Sequence, residues 1–208
     1  MWGVLSPTYF LGVDMNYGEL KEQIRDLGFA EDEEINEFED IIPNSINRAI
    51  TEINLNVSPI VGTYIIEQEN MNGIIYYDIE ELTRENDRNV FLEFADTPVM
   101  IGDGIYEKYN NFDIENGKIL VMDGSVAGKF KVFYKKAHTP FTIETPDERE
   151  IPLPLKVHYL LPLLSSYYIW LEDEKAKAVD YYNQYDKLVQ EMVTKKQLPR
   201  AKILSGGI

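Results

Sequence analysis

Phe112-Asp113-Ile114-Glu115-Asn116-Gly117-Lys118-Ile119-Leu120-Val121-Met122-Asp123-Gly124, continued by Gly128-Lys129-Phe130-Lys131-Val132-Phe133-Tyr134, is the stretch on which the reading of this chain turns. Its runs are β-branched and aromatic, and Asn116-Gly117 is a two-residue connection of the kind that tolerates the positive φ angles of a tight hairpin. Asp123-Gly124 opens the next turn, so the spacing predicts a three-stranded antiparallel meander over residues 113–134. Further extended runs lie upstream, at Tyr64-Ile65-Ile66, at Ile74-Ile75-Tyr76-Tyr77 and at Val90-Phe91-Leu92-Glu93-Phe94. The polar segment 78–89 reads as loop, with a short helical turn at Ile79 to Leu82.

Outside this β-rich middle the apolar period changes to that of a helix. Asn16, with Glu19 three residues on, forms an N-cap pair ahead of Leu20, Ile24 and Leu27, and Gly28 offers a left-handed stop. Acids at 31–34 suit the positive end of a second helix, whose face runs through Ile35, Phe38, Ile42, Ile46, Ala49, Ile50 and Ile53. Pro43 removes a donor inside that run, which predicts a break at Ile41-Ile42 and a restart with Pro43 in the first turn.

Residues 138–150, rich in proline and acid, read as a linker that packs little. After Pro152-Leu153-Pro154 come two more helical runs divided by Glu172-Asp173-Glu174. Val157, Leu160, Leu161, Leu164, Tyr168 and Leu171 mark the first face, with a bend at Pro162; Val179, Tyr182, Tyr185, Val189 and Met192 mark the second, with Lys175, Lys177, Asp180 and Lys187 outward. The fold class expected is α+β: a helical bundle from N- and C-terminal helices with an inserted antiparallel β meander and extended terminal arms. The boundaries are an arm at 1–14, a bundle from 15–61 and 151–193, a β insertion and acidic linker at 62–150, and a basic tail at 194–208.

Composition narrows the chemistry. At 208 residues the chain is long enough to bury a core. Its 36 acids against 20 lysines and arginines give a net charge of −16, which opposes a surface that grips phosphates. The chain holds no cysteine, so disulfides, thiol nucleophiles and Cys-ligated metals are excluded. No run approaches the roughly 18 apolar residues of a membrane span, and the apolar stretch 1–14 lacks a basic n-region and is broken by Gly3, Pro7 and Gly12.

No catalytic, metal or cofactor set stands out. The segment 124–130 imitates a phosphate-binding loop, but its glycines are one residue too close, Phe130 replaces the hydroxyl, and strands rather than a helix surround it; it reads as a hairpin. His138 and His158 have no ligand-spaced partner, and the acid clusters at 31–34, Glu80-Glu81 and 172–174 read as solvated faces. Fourteen tyrosines, among them Tyr76-Tyr77, Tyr106, Tyr109, Tyr167-Tyr168, Tyr181-Tyr182 and Tyr185, fit a protein–protein interface better than a base-stacking platform, which needs a positive groove.

The order of elements resembles that of the adaptor proteins that form a ring beneath the portal of tailed phages. Residues 20–29 with 35–53, then Asn116-Gly117-Lys118-Ile119-Leu120-Val121 with 128–134, and finally Ile151-Pro152 through Met192 carry the resemblance, which spans residues 15–193; the arm 1–14 and Pro43 depart from the pattern. The resemblance implies a structural virion protein at the head–tail interface, without enzymatic activity, cofactor or membrane association, assembled in the bacterial host cytoplasm. Its partners would be the portal, a tail or nozzle protein, and further copies of itself in a ring, a dodecamer, through which DNA passes without sequence-specific binding. Lys195, Lys196, Arg200 and Lys202 of the basic tail would contact the portal, and Trp2, Tyr9 and Phe10 of the arm a neighbouring subunit or the tail. Acids facing the channel would repel phosphates and let DNA slide. Two other classes fit the residues: a carboxylate-based glycan hydrolase of a phage tail, and a stand-alone protein- or glycan-binding module.

Overall fold

The computed structural model describes residues 15–28 and 38–197, with side chains to Thr194. Within them are seven strands, five α-helices and one 3₁₀ helix. They divide into two compact units, one built from residues up to 50 with 141–151 and from 155 onward, the other from 51–140 with 152–154.

The second unit is a two-sheet antiparallel β domain. Strands β1 (Val61–Gln68), β2 (Ile74–Asp78), β3 (Phe91–Asp103), β4 (Ile105–Lys108), β5 (Phe112–Glu115), β6 (Ile119–Asp123) and β7 (Gly128–Lys136) form a four-stranded sheet in the order β1-β7-β3-β4 and a three-stranded sheet in the order β2-β6-β5. Inward residues of both sheets, among them Ile66, Val99, Leu120, Met122, Phe130 and Val132, share one core with Ile79. Ile79 opens a single helical turn, here α3 (Ile79–Leu82), capped by the Asp78 carboxylate, which accepts from the Glu81 N–H at 3.1 Å. Gln68 ties the domain together: its amide donates to the carbonyls of Asp123 (2.8 Å) and Val126 (2.7 Å), while its oxygen accepts from the Tyr77 hydroxyl at 3.0 Å.

Asn116 (φ 52°) and Gly117 (φ 72°) both take the left-handed conformation that a type I′ turn requires, and β5 and β6 pair across them as expected. The third member of the expected meander is elsewhere. Strand β6 already has β2 on one edge and β5 on the other, so no edge remains for β7. The chain crosses at residues 124–127 into the other sheet, where β7 pairs with β1 along its length and with β3 on its far side. The crossing also replaces the hairpin expected for 124–130.

The expected fold class is therefore corrected. Seven strands in two antiparallel sheets build a β domain with its own core, not a meander inserted into a helical bundle. The long helix α2 (Ile41–Asn56), with Pro43 in its first turn, lies in extended contact with none of the other described helices and does not close a bundle with the C-terminal pair. Its apolar period is satisfied instead by burying Ile42, Ile46, Ala49, Ile50 and Ile53.

In the first unit, α1 (Tyr17–Gly28) begins with a reciprocal capping box: the Glu19 N–H donates to Asn16 Oδ1 at 2.9 Å and the Asn16 N–H to Glu19 Oε2 at 3.0 Å. Its far end departs from expectation, because Gly28 stays helical and buried rather than left-handed. A Cβ there would lie 2.9 Å from Trp170 Nε1, so glycine is needed for close approach. The last carbonyls of α1 are met by side chains: the Tyr181 hydroxyl donates to Leu27 O, and Lys177 Nζ donates to Gly28 O at 2.6 Å while lying 3.4 Å from the Trp170 ring centre. A cation at this end also complements the helix dipole.

The C-terminal run is a 3₁₀ turn (Leu155–Leu160), α4 (Leu161–Trp170) with Pro162 in its first turn, and α5 (Lys175–Gln197). Helix α4 packs on both α1 and α5 and is buried on nearly every side, Ser165 and Ser166 included, rather than on one broad face. On α5 the buried residues are Ala178, Tyr181 and Tyr185, while Val179 and Tyr182 of the expected face are exposed. The expected linker is also packed. Tyr17 and Gly18 donate their N–H groups to the carbonyls of Arg149 and Asp147, both at 2.9 Å, and Phe141 is buried in a stack on Tyr17 with centroids 4.8 Å apart.

Candidate interaction surface

Alternation along β7 turns Phe130, Val132 and Tyr134 into the core and Lys129, Lys131, Phe133 and Lys135 to the outer face of the four-stranded sheet. Register then sets the neighbours. Ile65, Lys131, Met100 and Lys108 form one row across β1, β7, β3 and β4, and Val61, Lys135 and Glu93 another. Between Phe94 and Val99 the β3 ladder breaks: these residues oppose Tyr134 and Val132, so residues 95–98 bulge opposite Phe133 alone. The result is an open cavity of about 380 Å³ lined by Pro59, Val61, Met100, Phe133 and Lys135 with Ala95, Asp96 and Thr97 of the bulge.

The electrostatics of this face are uneven. Lys129 lies 3.1 Å from Asp103 and 3.8 Å from Glu67, and the hydrogen bond to Asp103 followed by these charges holds it above the usual lysine range. Lys135 is 2.5 Å from Glu93. Lys131 instead lies over the rings of Phe133 (5.4 Å) and Tyr106 (5.6 Å), and neither it nor Lys108 has a carboxylate partner among the described residues.

The outer edge of β1, which pairs with no strand among the described residues, adjoins this face. It is eight residues long, contains neither proline nor lysine, and leaves Val61 and Ile65 about half exposed, at 52% and 51%. Natural monomers blunt such edges with charge, proline or a covering segment. On the other sheet, Ile74 (65%) and Tyr76 (57%) stand out into solvent. In the helical unit, Tyr168, Tyr167, Tyr182 and Tyr185 form a chain of ring contacts with centroids 5.0, 5.0 and 5.8 Å apart, and the Arg48 guanidinium lies 4.1 Å from the Tyr168 ring centre.

The residues singled out from sequence fall differently. Trp2, Tyr9, Phe10, Arg200 and Lys202 lie outside the described residues, as do the acids at 31–34. Lys195 and Lys196 fall on the last turn of α5 by backbone, with their side chains outside the described set. His138 and His158 are both buried: Arg88 donates to the His138 carbonyl, and His158 Nδ1 accepts from the Met15 N–H at 3.4 Å. Among the described residues no group of three or more histidines and acids is placed to hold a metal ion, and no helix is long and apolar enough to cross a membrane. The surface on β7 was not singled out from sequence, because its lysines alternate with core residues and only the edge assignments reveal which face they occupy. No family model matches the chain, and no curated protein matches it either.

Proposed function

We propose that this chain is a structural subunit of a ring that joins the portal of a tailed phage to its tail and continues the DNA channel. The observation that carries the reading is the edge strand β1, unpaired on its outer side among the described residues, with Val61 and Ile65 exposed beside an open, mostly apolar cavity. A contact surface set on one side of a subunit associates head to tail when it meets a different patch on the next copy, and such contacts close into a ring when the rotation between copies allows. Tyr182, exposed on α5 in ring contact with Tyr167, adds a residue of the type that protein interfaces favour. The net charge of −16 suits a channel that passes DNA without holding it. The sequence order behind the resemblance, capped helix, proline-started helix, β-rich middle, helix pair and basic end, supports the same reading although the fold class drawn from it does not stand.

The basic end supplies the portal contact in this proposal. Because α5 runs to Gln197, a truncation at 194 would cut its last turn, so the test uses a chain ending at Gln197 with Lys195→Ser and Lys196→Ser. The full chain should co-sediment with portal rings, and the altered chain should do so weakly or not at all while melting normally. Equal co-sedimentation of both would remove the docking role of the tail, and no co-sedimentation of the full chain would count against the adaptor reading itself.

A further inference from the structure

We infer that the outer face of the β1-β7-β3-β4 sheet receives a second copy of this chain through that copy's acidic stretch, Glu31-Asp32-Glu33-Glu34-Ile35. This deepens the ring reading and rests on it for the head-to-tail arrangement. Three observations converge. The row Ile65, Lys131, Met100 and Lys108 places two lysines on either side of one methionine, and neither lysine has a carboxylate partner among the described residues. In a chain with 36 acids and 20 basic residues, two cations in one row without a carboxylate partner among the described residues are a site that an acidic partner completes. Next to them, the bulge of residues 95–98 opens a cavity of about 380 Å³ beside the half-buried Phe133 ring, which suits an apolar side chain such as Ile35 following the acids. The chain's densest run of negative charge is 31–34, and it is joined directly to that isoleucine.

A nucleic acid fits this face less well. Glu67, Glu93 and Asp103 sit among the lysines and engage Lys129 and Lys135, so a phosphate backbone tracking β7 would meet carboxylates beside each of them. A short acidic peptide confined to the row of Lys131 and Lys108 meets fewer of these carboxylates than a backbone tracking the whole strand.

The test is sedimentation velocity of the full chain, of Lys108→Glu/Lys131→Glu, of Glu31→Lys/Glu33→Lys, and of the four changes combined, with melting curves to show that each is folded. In parallel, a peptide of residues 29–38 and a single-stranded oligonucleotide are titrated onto the wild-type and lysine-altered chains. Each double change should raise the concentration needed for assembly by about 10-fold or more, the combination should restore much of it, and the peptide should bind wild type and not the lysine variant. Assembly and peptide binding that ignore the lysine changes would overturn the inference while leaving the ring reading standing. A wild type that assembles through these lysines into dimers or open filaments, and never into closed rings, would uphold the inference and overturn the ring reading. Lysine-dependent binding of the oligonucleotide and not of the peptide would overturn the inference in favour of nucleic acid.

Discussion

Replacing Phe141 by alanine tests the packing of a segment that composition marks as a linker. The ring is buried, stacked on Tyr17 at 4.8 Å, and covered by the Arg149 guanidinium at 4.0 Å from its centre. Asn47 holds the backbone on both sides, its amide donating to Phe141 O and its oxygen accepting from the Phe141 N–H, each at 2.8 Å. With the backbone pinned, the space left by the ring cannot collapse, so the loss should lie in the middle of the range for buried Phe→Ala, about 4 kcal/mol. With a urea slope of about 2 kcal/mol per M, that is a fall of about 2 M in the unfolding midpoint. Trp170 belongs to the same unit and reports the transition by fluorescence. Ile143→Ala, in the same segment but 69% exposed, is the control and should cost less than about 0.5 kcal/mol. If Phe141→Ala and Ile143→Ala shift the midpoint equally, the segment is the loose linker its composition suggests and the packing argument fails.

Gly28→Ala forces a methyl against Trp170 Nε1 at 2.9 Å and should cost about 1–3 kcal/mol with a change in tryptophan emission, visible in the same urea titration. Leu164→Asp places a charge at a fully buried position of α4 and should leave the helical unit unfolded at 25 °C by circular dichroism. Burial raises the phenol pKa of Tyr17, Tyr77, Tyr109, Tyr134 and Tyr181 above the ordinary value. For groups raised in the folded state, the stabilisation is complete below the unfolded value of about 10 and is lost as pH climbs through the folded values. Melting temperature should therefore fall above about pH 10, and phenolate absorbance should lag behind that of the urea-unfolded chain.

Local signals in the sequence were legible where the chemistry is local. The capping box at Asn16 and Glu19 and the Asn116-Gly117 turn each involve residues at most three apart, and both form as read. What failed depended on competition between distant segments. Nothing within 113–134 reveals that Ile74–Asp78 will take the edge of β6 and send β7 to the other sheet. Strand β4 was missed because Ile105–Lys108 is short and polar and pairs only because β3 runs on to Asp103.

On α5, steps of three and four from Tyr185 fit Val179 and Tyr182 as well as Ala178 and Tyr181. The choice falls to Tyr181, whose hydroxyl caps α1 at Leu27, and to the small Ala178, a partner that periodicity cannot see. For the candidate surface the position is similar. The lysines of β7 and β4 are plain in the sequence, but their shared face, the lack of a carboxylate partner for Lys131 and Lys108 among the described residues, and the cavity beside Phe133 arise only from register and a bulge.

The central claim is assembly of this chain into a ring that seats on a portal, and negative-stain electron microscopy of the purified chain, alone and mixed with portal rings, tests it most directly. The account expects closed rings with a central channel in the first sample and an added layer of density beneath the portal in the second. Monomers at every concentration, with portal rings unchanged by the mixing, would contradict it.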